Sequence, residues 1–182
     1  MPEQPWYREP QTFVAVAALI VSVTAVAVGL YEASLQRRHD RAEVWPHLEI
    51  TTFVMPQGAA IRLTNTGIGP AIVKSVVVNV DGKPRRNWED ALNALLGRAP
   101  GPHSSTTVTE HAFRAGDEVT LVGIQKSDMP PGFWSWVGRV TLRVCYTSVF
   151  DESWIVSDDH LGGNSRWQSV GHCPAPMAGT DL

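Results

Sequence analysis

The sequence predicts a mainly β protein: an amino-terminal membrane-spanning helix, then an immunoglobulin-like antiparallel β-sandwich with one short inserted helix. Three observations predict it. Residues 12–31, TFVAVAALIVSVTAVAVGLY, carry no charge. From residue 47 onward, short β-branched runs alternate with Gly, Pro and Asn-Asp turn signals. A single stretch, NWEDALNALLG, has a helical spacing of apolar residues between plausible caps.

The apolar run has the roughly 20 residues that crossing about 30 Å of hydrocarbon requires. Only Ser22 and Thr24 interrupt it, whereas a buried soluble helix keeps a polar stripe. Trp6, Tyr7 and Tyr31 flank it as interfacial anchors. A cleaved signal peptide is the competing reading. The leader, residues 1–11, opposes it, because Arg8 stands there with two Glu in place of a basic stretch. Arg37, Arg38 and Arg41 follow the run, so the positive-inside rule expects the carboxy-terminal side in the cytoplasm, at an inner membrane. Residues 32–46 read as a juxtamembrane helix and linker, stopped near Pro46. Ala18/Ser22 and Ala25/Gly29 permit close helix packing.

Residues 47–173 read as the sandwich. HLEITTFV, GAAIRLTN, AIVKSVVVNV, DEVTLVGI, GRVTLRVCYTSVF and SWIVS are the expected strands, with Asp81-Gly82 as a tight hairpin turn. Alternating strands joined by short connections favour an antiparallel sandwich over a parallel sheet. Asn87 is the expected cap of the inserted helix, Glu89 and Asp90 suit its first turn, and Gly97 ends it. The tail, residues 174–182, has little to bury and is expected to be mobile.

LTNTGIGPAIVKSVVVNVDGK carries a Gly-x-Gly that invites a phosphate-loop reading. A dinucleotide fingerprint needs a third glycine, where Ile72 stands, and must open a helix. A β-branched strand follows instead, and no Gly-Lys-Ser/Thr is present. The loop therefore reads as a structural turn: Asn65 closes an Asx-type turn, Gly67 and Gly69 supply positive φ, and Pro70 fixes φ at the next strand.

This Asn-x-Gly-x-Gly-Pro-Ala turn behind an amino-terminal anchor resembles a pattern in uncharacterised bacterial single-pass membrane-anchored proteins. VCYTSVFDESWIV is similar to a Tyr-Cys-Ser-Val-Phe-x-x-Cys-Trp pattern in such proteins. Tyr146, Ser148, Val149, Phe150 and Trp154 match, while Thr147 and Ser153 replace its cysteines. The resemblance implies an architecture and a bacterial membrane location, with no activity attached.

Candidate chemistry is sparse. Cys145 and Cys173 are two reduced thiols if the domain is cytoplasmic, or one bridge holding the tail if it is periplasmic. With His160 and His172 they have zinc-ligand types but lack the paired short spacings of a metal motif. DESWIVSDDH groups Asp151, Glu152, Asp158, Asp159 and His160, which is an acid–base or metal-dependent hydrolase alternative. Phe133, Trp134 and Trp136 beside Pro-Pro-Gly read as a strand whose two Trp share one face, packed in the core or exposed to a partner. A net charge of −3 provides no basic field for nucleic acid.

The expected function is thus a non-catalytic membrane protein that binds a protein partner, forms a homo-oligomer or joins a membrane complex. Beyond the lipid bilayer and that partner, no cofactor, nucleic acid or small-molecule ligand is expected. A periplasmic sensor or envelope-binding domain is the other alternative.

Overall fold

The computed structural model describes residues 10–129, 132–159, 161, 165–177 and 179–182, without the side chains of 41, 42, 134 and 135. Trp6, Tyr7 and His160 lie outside the described residues, as do the side chains of Arg41 and Trp134. The chain divides into two compact units, Met1–Ala42 and Glu43–Leu182.

The first unit is built on α1 (Pro10–Glu43), which runs unbroken through the uncharged stretch and the Arg-containing segment. Residues Pro10–Asp40 have a mean hydropathy of 2.6 in their most apolar window, long and apolar enough to cross a membrane. Phe13, Leu19, Ile20 and Val21 are all exposed, so no protein core accounts for this apolar surface.

The second unit is two antiparallel sheets. One is ordered β1 (Leu48–Met55), β2 (Gly58–Asn65), β7 (Glu118–Gln125) and β5 (His103–Ser105). The other is ordered β10 (Arg166–Val170), β9 (Ser153–Asp158), β8 (Val140–Thr147), β3 (Ala71–Val80) and β4 (Lys83–Arg85), with β6 (Ala112–Phe113) also on β3. Alternation explains the faces: Leu48 and Ile50 of β1, Leu63 of β2, and Val140, Leu142, Val144 and Tyr146 of β8 point into the core. In β3 the register shifts between Val73 and Ser75. That bulge resets the phase, so Ala71 and Val73 as well as Val76, Val78 and Val80 are buried.

The free edge of β1 is closed by side chains of the other sheet. Trp167 Nε1 donates to the Leu48 carbonyl at 2.7 Å. The Ser165 hydroxyl donates to the Ile50 carbonyl at 3.2 Å and accepts from the Ile50 N–H at 3.4 Å. These bonds satisfy strand-edge groups that would otherwise template aggregation.

The inserted helix is α2 (Trp88–Leu96). Asn87 caps it, accepting from the Asp90 N–H at 2.8 Å, and Gly97 ends it at φ 68°. Trp88, Ala91, Leu92 and Leu95 form its buried face.

Two expectations are corrected. Phe133, Trp134 and Trp136 lie on a short helix, α3 (Phe133–Val137), not on a strand. The reason is tertiary: Trp136 Nε1 donates to the Leu95 carbonyl at 2.8 Å, satisfying a terminal carbonyl of α2, and Phe133 packs 6.0 Å from the Trp136 ring. The tail ends packed rather than loose. Leu182 is buried, its carbonyl accepts from the Thr109 hydroxyl at 2.6 Å, and the Asp181 N–H donates to the Arg86 carbonyl at 2.9 Å.

Candidate functional site at the chain-entry end

One end of the sandwich gathers the most unusual groups. The chain enters β1 there through Trp45 and His47. Pairing of Leu48 with Asn65 places the β2–β3 loop beside that entry, and pairing of Ile72 with Thr147 places the β8–β9 hairpin at the same end.

Asn65 organises it. Fully buried, it accepts through Oδ1 from the His47 N–H at 3.2 Å and the Gly67 N–H at 3.1 Å, the second bond closing the Asx turn. Its Nδ2 donates to the carbonyls of Gly69 at 2.8 Å, Phe113 at 3.2 Å and Arg114 at 3.2 Å. Three loops distant in sequence are thereby held by one amide.

Gly67 and Gly69 do not serve as positive-φ residues, which corrects the expectation for this turn. They are required by close approach. A β-carbon on Gly67 would sit 2.6 Å from the Trp45 carbonyl oxygen, and one on Gly69 would overlap the Val44 carbonyl. The Ile68 and Gly69 N–H groups both donate to Trp45 O, at 3.1 and 3.2 Å. No group in the loop is left arranged for a phosphate, since its donors are committed to the protein itself.

On this framework sit exposed apolar side chains: Trp45 at 48%, Ile68 at 65%, Val149 at 52% and Phe150 at 43%. His47 stacks on Trp167 at 4.4 Å between centroids and lies 5.2 Å from Trp45, forming an aromatic row. The hairpin bearing Val149 and Phe150 is tight. Ser148 Oγ accepts from the Phe150 N–H at 3.1 Å, the Ser148 N–H donates to Glu152 O at 2.9 Å, and Asp151 adopts φ 60°. Beneath it, burial pushes the Tyr146 phenol up to about 12, its hydroxyl accepting a long 3.5 Å bond from the Leu48 N–H.

Cys145 and Cys173 form a disulfide, with their Cα atoms 5.7 Å apart. This removes both from the zinc set. His172 is exposed, and no group of three potential metal ligands occurs among the described residues. Thr147 and Ser153, which replace the cysteines of the resembled pattern, are register partners across β8 and β9.

The acidic stretch does not converge. Asp158 is buried at the far end of β9 from Asp151 and Glu152, roughly 16 Å along a strand of that length. Asp159 pairs with Arg166. Phe133 and Trp136 are half-buried and pack against the core at the opposite end of the sandwich, where α2 and α3 lie.

The sequence does not reveal Ile68, Val149 and Phe150 as a surface, because their placement at one end depends on where β2–β3 and β8–β9 turn. No protein-family model matches the chain, no curated protein matches it in sequence, and no solved structure matches it in fold.

Proposed function

We propose that the protein is a single-pass membrane protein whose β-sandwich binds a protein partner through its chain-entry end, as a non-catalytic subunit of a membrane complex. The carrying observation is the exposed set Trp45, Ile68, Val149 and Phe150 on a framework fixed by the buried Asn65. Large apolar side chains gathered on rigid loops are the usual anchors of protein recognition.

A protein fits this end better than lipid does. Charges of both signs lie at this end, Arg114 and Asp117 between β6 and β7 and Asp151 and Glu152 between β8 and β9, and they suit a protein rim rather than an anionic bilayer.

The domain belongs on the oxidising side of the membrane in this proposal, against the expectation from Arg37, Arg38 and Arg41. A disulfide persists in the periplasm or outside the cell and is reduced in the cytosol. That consideration outweighs a charge difference of a few residues.

A photo-crosslinking residue placed at Ile68 or Phe150 in native membranes is expected to capture a discrete protein partner. One placed at Lys83, at the start of β4 at the opposite end, is not. Equal capture from all three positions, or capture of lipid or of a second copy only, overturns the assignment.

A further inference from the structure

The tail crosses the outer face of the sheet that contains β8. Val140, Leu142, Val144 and Tyr146 of β8 point into the core, so Cys145 among them points outward. Even so Cys145 is only 3% exposed, and Ser75, its register partner on β3, is 2% exposed. The segment after β10 lies over this face, tied to it by the bridge from Cys173. Across an open cleft of about 600 Å³, Gly171 to Pro176 face Ile72 and Lys74 of β3, Thr147 ending β8 and Ser153 starting β9. Farther on, Asp181 bonds Arg86 after β4 and Leu182 bonds Thr109 before β6, and both of those strands pair with β3. In the sheet order β10, β9, β8, β3, the segment therefore runs as a strap over β9 and β8.

The strap has one clasp along its first part. Among the described residues, Gly171 to Met177 exchange no hydrogen bond with either sheet, and Pro174 to Met177 are exposed. Pro174 and Pro176 have no N–H to give. The bridge to Cys145 is what holds that stretch down. Its two ends are unequally placed: Cys145 is buried, whereas Cys173 is half-buried and lines the cleft.

We propose that Cys173 is a site of thiol exchange for a small-molecule thiol, and that exchange there unfastens the strap. A thiolate entering the cleft attacks the Cys173 sulfur. The bond between Cys173 and Cys145 breaks as the new S–S bond forms, and its electron pair leaves on Cys145, which takes up the proton the incoming thiol gave up. The product carries the small thiol on Cys173 and a free thiol at Cys145, so no further oxidant or reductant is needed. Attack on Cys145 instead has no approach while the strap is in place. The cleft falls in the range of about 300–1,000 Å³ usual for small-molecule sites, which suits a thiol of glutathione size. With the clasp open, Cys145 and Ser75 are uncovered, while the buried Leu182 keeps the far end of the strap in place. This site does not rest on the partner surface.

The test treats the full chain in nanodiscs with glutathione, quenches with N-ethylmaleimide and reads each cysteine by mass spectrometry of proteolytic fragments. Glutathione is expected on Cys173 and maleimide on Cys145, with glutathione on Cys145 rarer by about tenfold or more and the strand signal retained. Cys173→Ser lacks the clasp altogether. Its Cys145 is expected to react with maleimide within about tenfold of the rate in the urea-unfolded chain, although the domain stays folded. Equal glutathione on both cysteines, no adduct at all, or adducts that appear only as the strand signal is lost overturns the proposal. So does a folded Cys173→Ser that keeps Cys145 shielded. If that variant fails to fold, the parent reduced with a phosphine takes its place. Loss of the strand signal there too would make the bridge a requirement of the fold rather than a clasp, and would equally overturn the assignment.

Discussion

Gly69 lies so close to Val44 that a β-carbon on the glycine would overlap the Val44 carbonyl. The β2–β3 loop is thereby packed onto the chain entering β1, and the Ile68 and Gly69 N–H groups bond Trp45 O across that contact. Gly69→Ala is expected to cost about 3 kcal/mol or more, because the obstacle is backbone that cannot rotate away. Gly82 offers the contrast: at φ 74° with open space around it, its replacement by Ala meets only conformational strain, about 1 kcal/mol. Thermal melting of the strand signal in both variants measures the difference. Equal losses would contradict the close-approach account.

Asn65→Asp changes one group. The two bonds accepted by Oδ1 are kept, but the carbonyls of Gly69, Phe113 and Arg114 would face an acceptor instead of the Nδ2 donor. A buried carboxylate against three carbonyls is expected to cost about 3–5 kcal/mol at pH 7. Crosslinking through Ile68 should fall with it, since the loop loses its anchor. A variant that melts normally would remove Asn65 from its organising role.

Acid should loosen two ion pairs. The Arg98 guanidinium holds the Asp128 carboxyl below its ordinary range, with a 2.8 Å bond from Nη2. Arg139 lowers Asp81 in the same way through bonds of 2.7 and 2.5 Å. A lowered folded-state value means stability present above about pH 4 and lost as pH falls through the folded value. Below pH 4 the parent should therefore lose stability more steeply than Asp128→Asn. Parallel acid titrations of the two by near-ultraviolet circular dichroism test this, and superimposable curves contradict it.

The bridge between Cys145 and Cys173 closes a 28-residue separation. Chain-entropy reasoning assigns such a loop about 3–4 kcal/mol. Cys145→Ala/Cys173→Ala is expected to melt well below the parent, and dithiothreitol should bring the parent down to the same value. A double variant as stable as the oxidised parent would show that the tail is held by Leu182 and Asp181 alone.

Much of this fold was legible in the residues. The limits of α2 follow from Asn87 and Gly97, and the faces of β1, β2, β3 and β8 follow from alternating apolar residues. The extent of α1 follows from composition and from Pro46. What escaped has identifiable causes. β10 lies at a sheet edge with Arg166 to Ser169 all exposed, so it has no apolar face to betray it. α3 looked like a strand because its aromatic residues have β propensity, which the contact between Trp136 and Leu95 overrides. The glycine pair of the loop was recognised as structural, but its reason, the approach of Val44 and Trp45, is a tertiary fact. The placement of Ile68 and Phe150 at one end is hidden for the same reason, since only the strand register brings their loops there.

The most direct test of the central claim labels Cys145 and Cys173 in intact cells with a membrane-impermeant maleimide polyethylene glycol, read as steps in gel mobility. A domain displayed on the oxidising side should show no step without reductant and two after mild reduction outside the cytoplasm, at cell integrity verified by an unlabelled cytosolic thiol protein. Immediate labelling without reductant would contradict the disulfide. Protection in intact cells even after external reduction, with two steps appearing only on lysis, would place the sandwich in the cytoplasm and refute the proposed side of action.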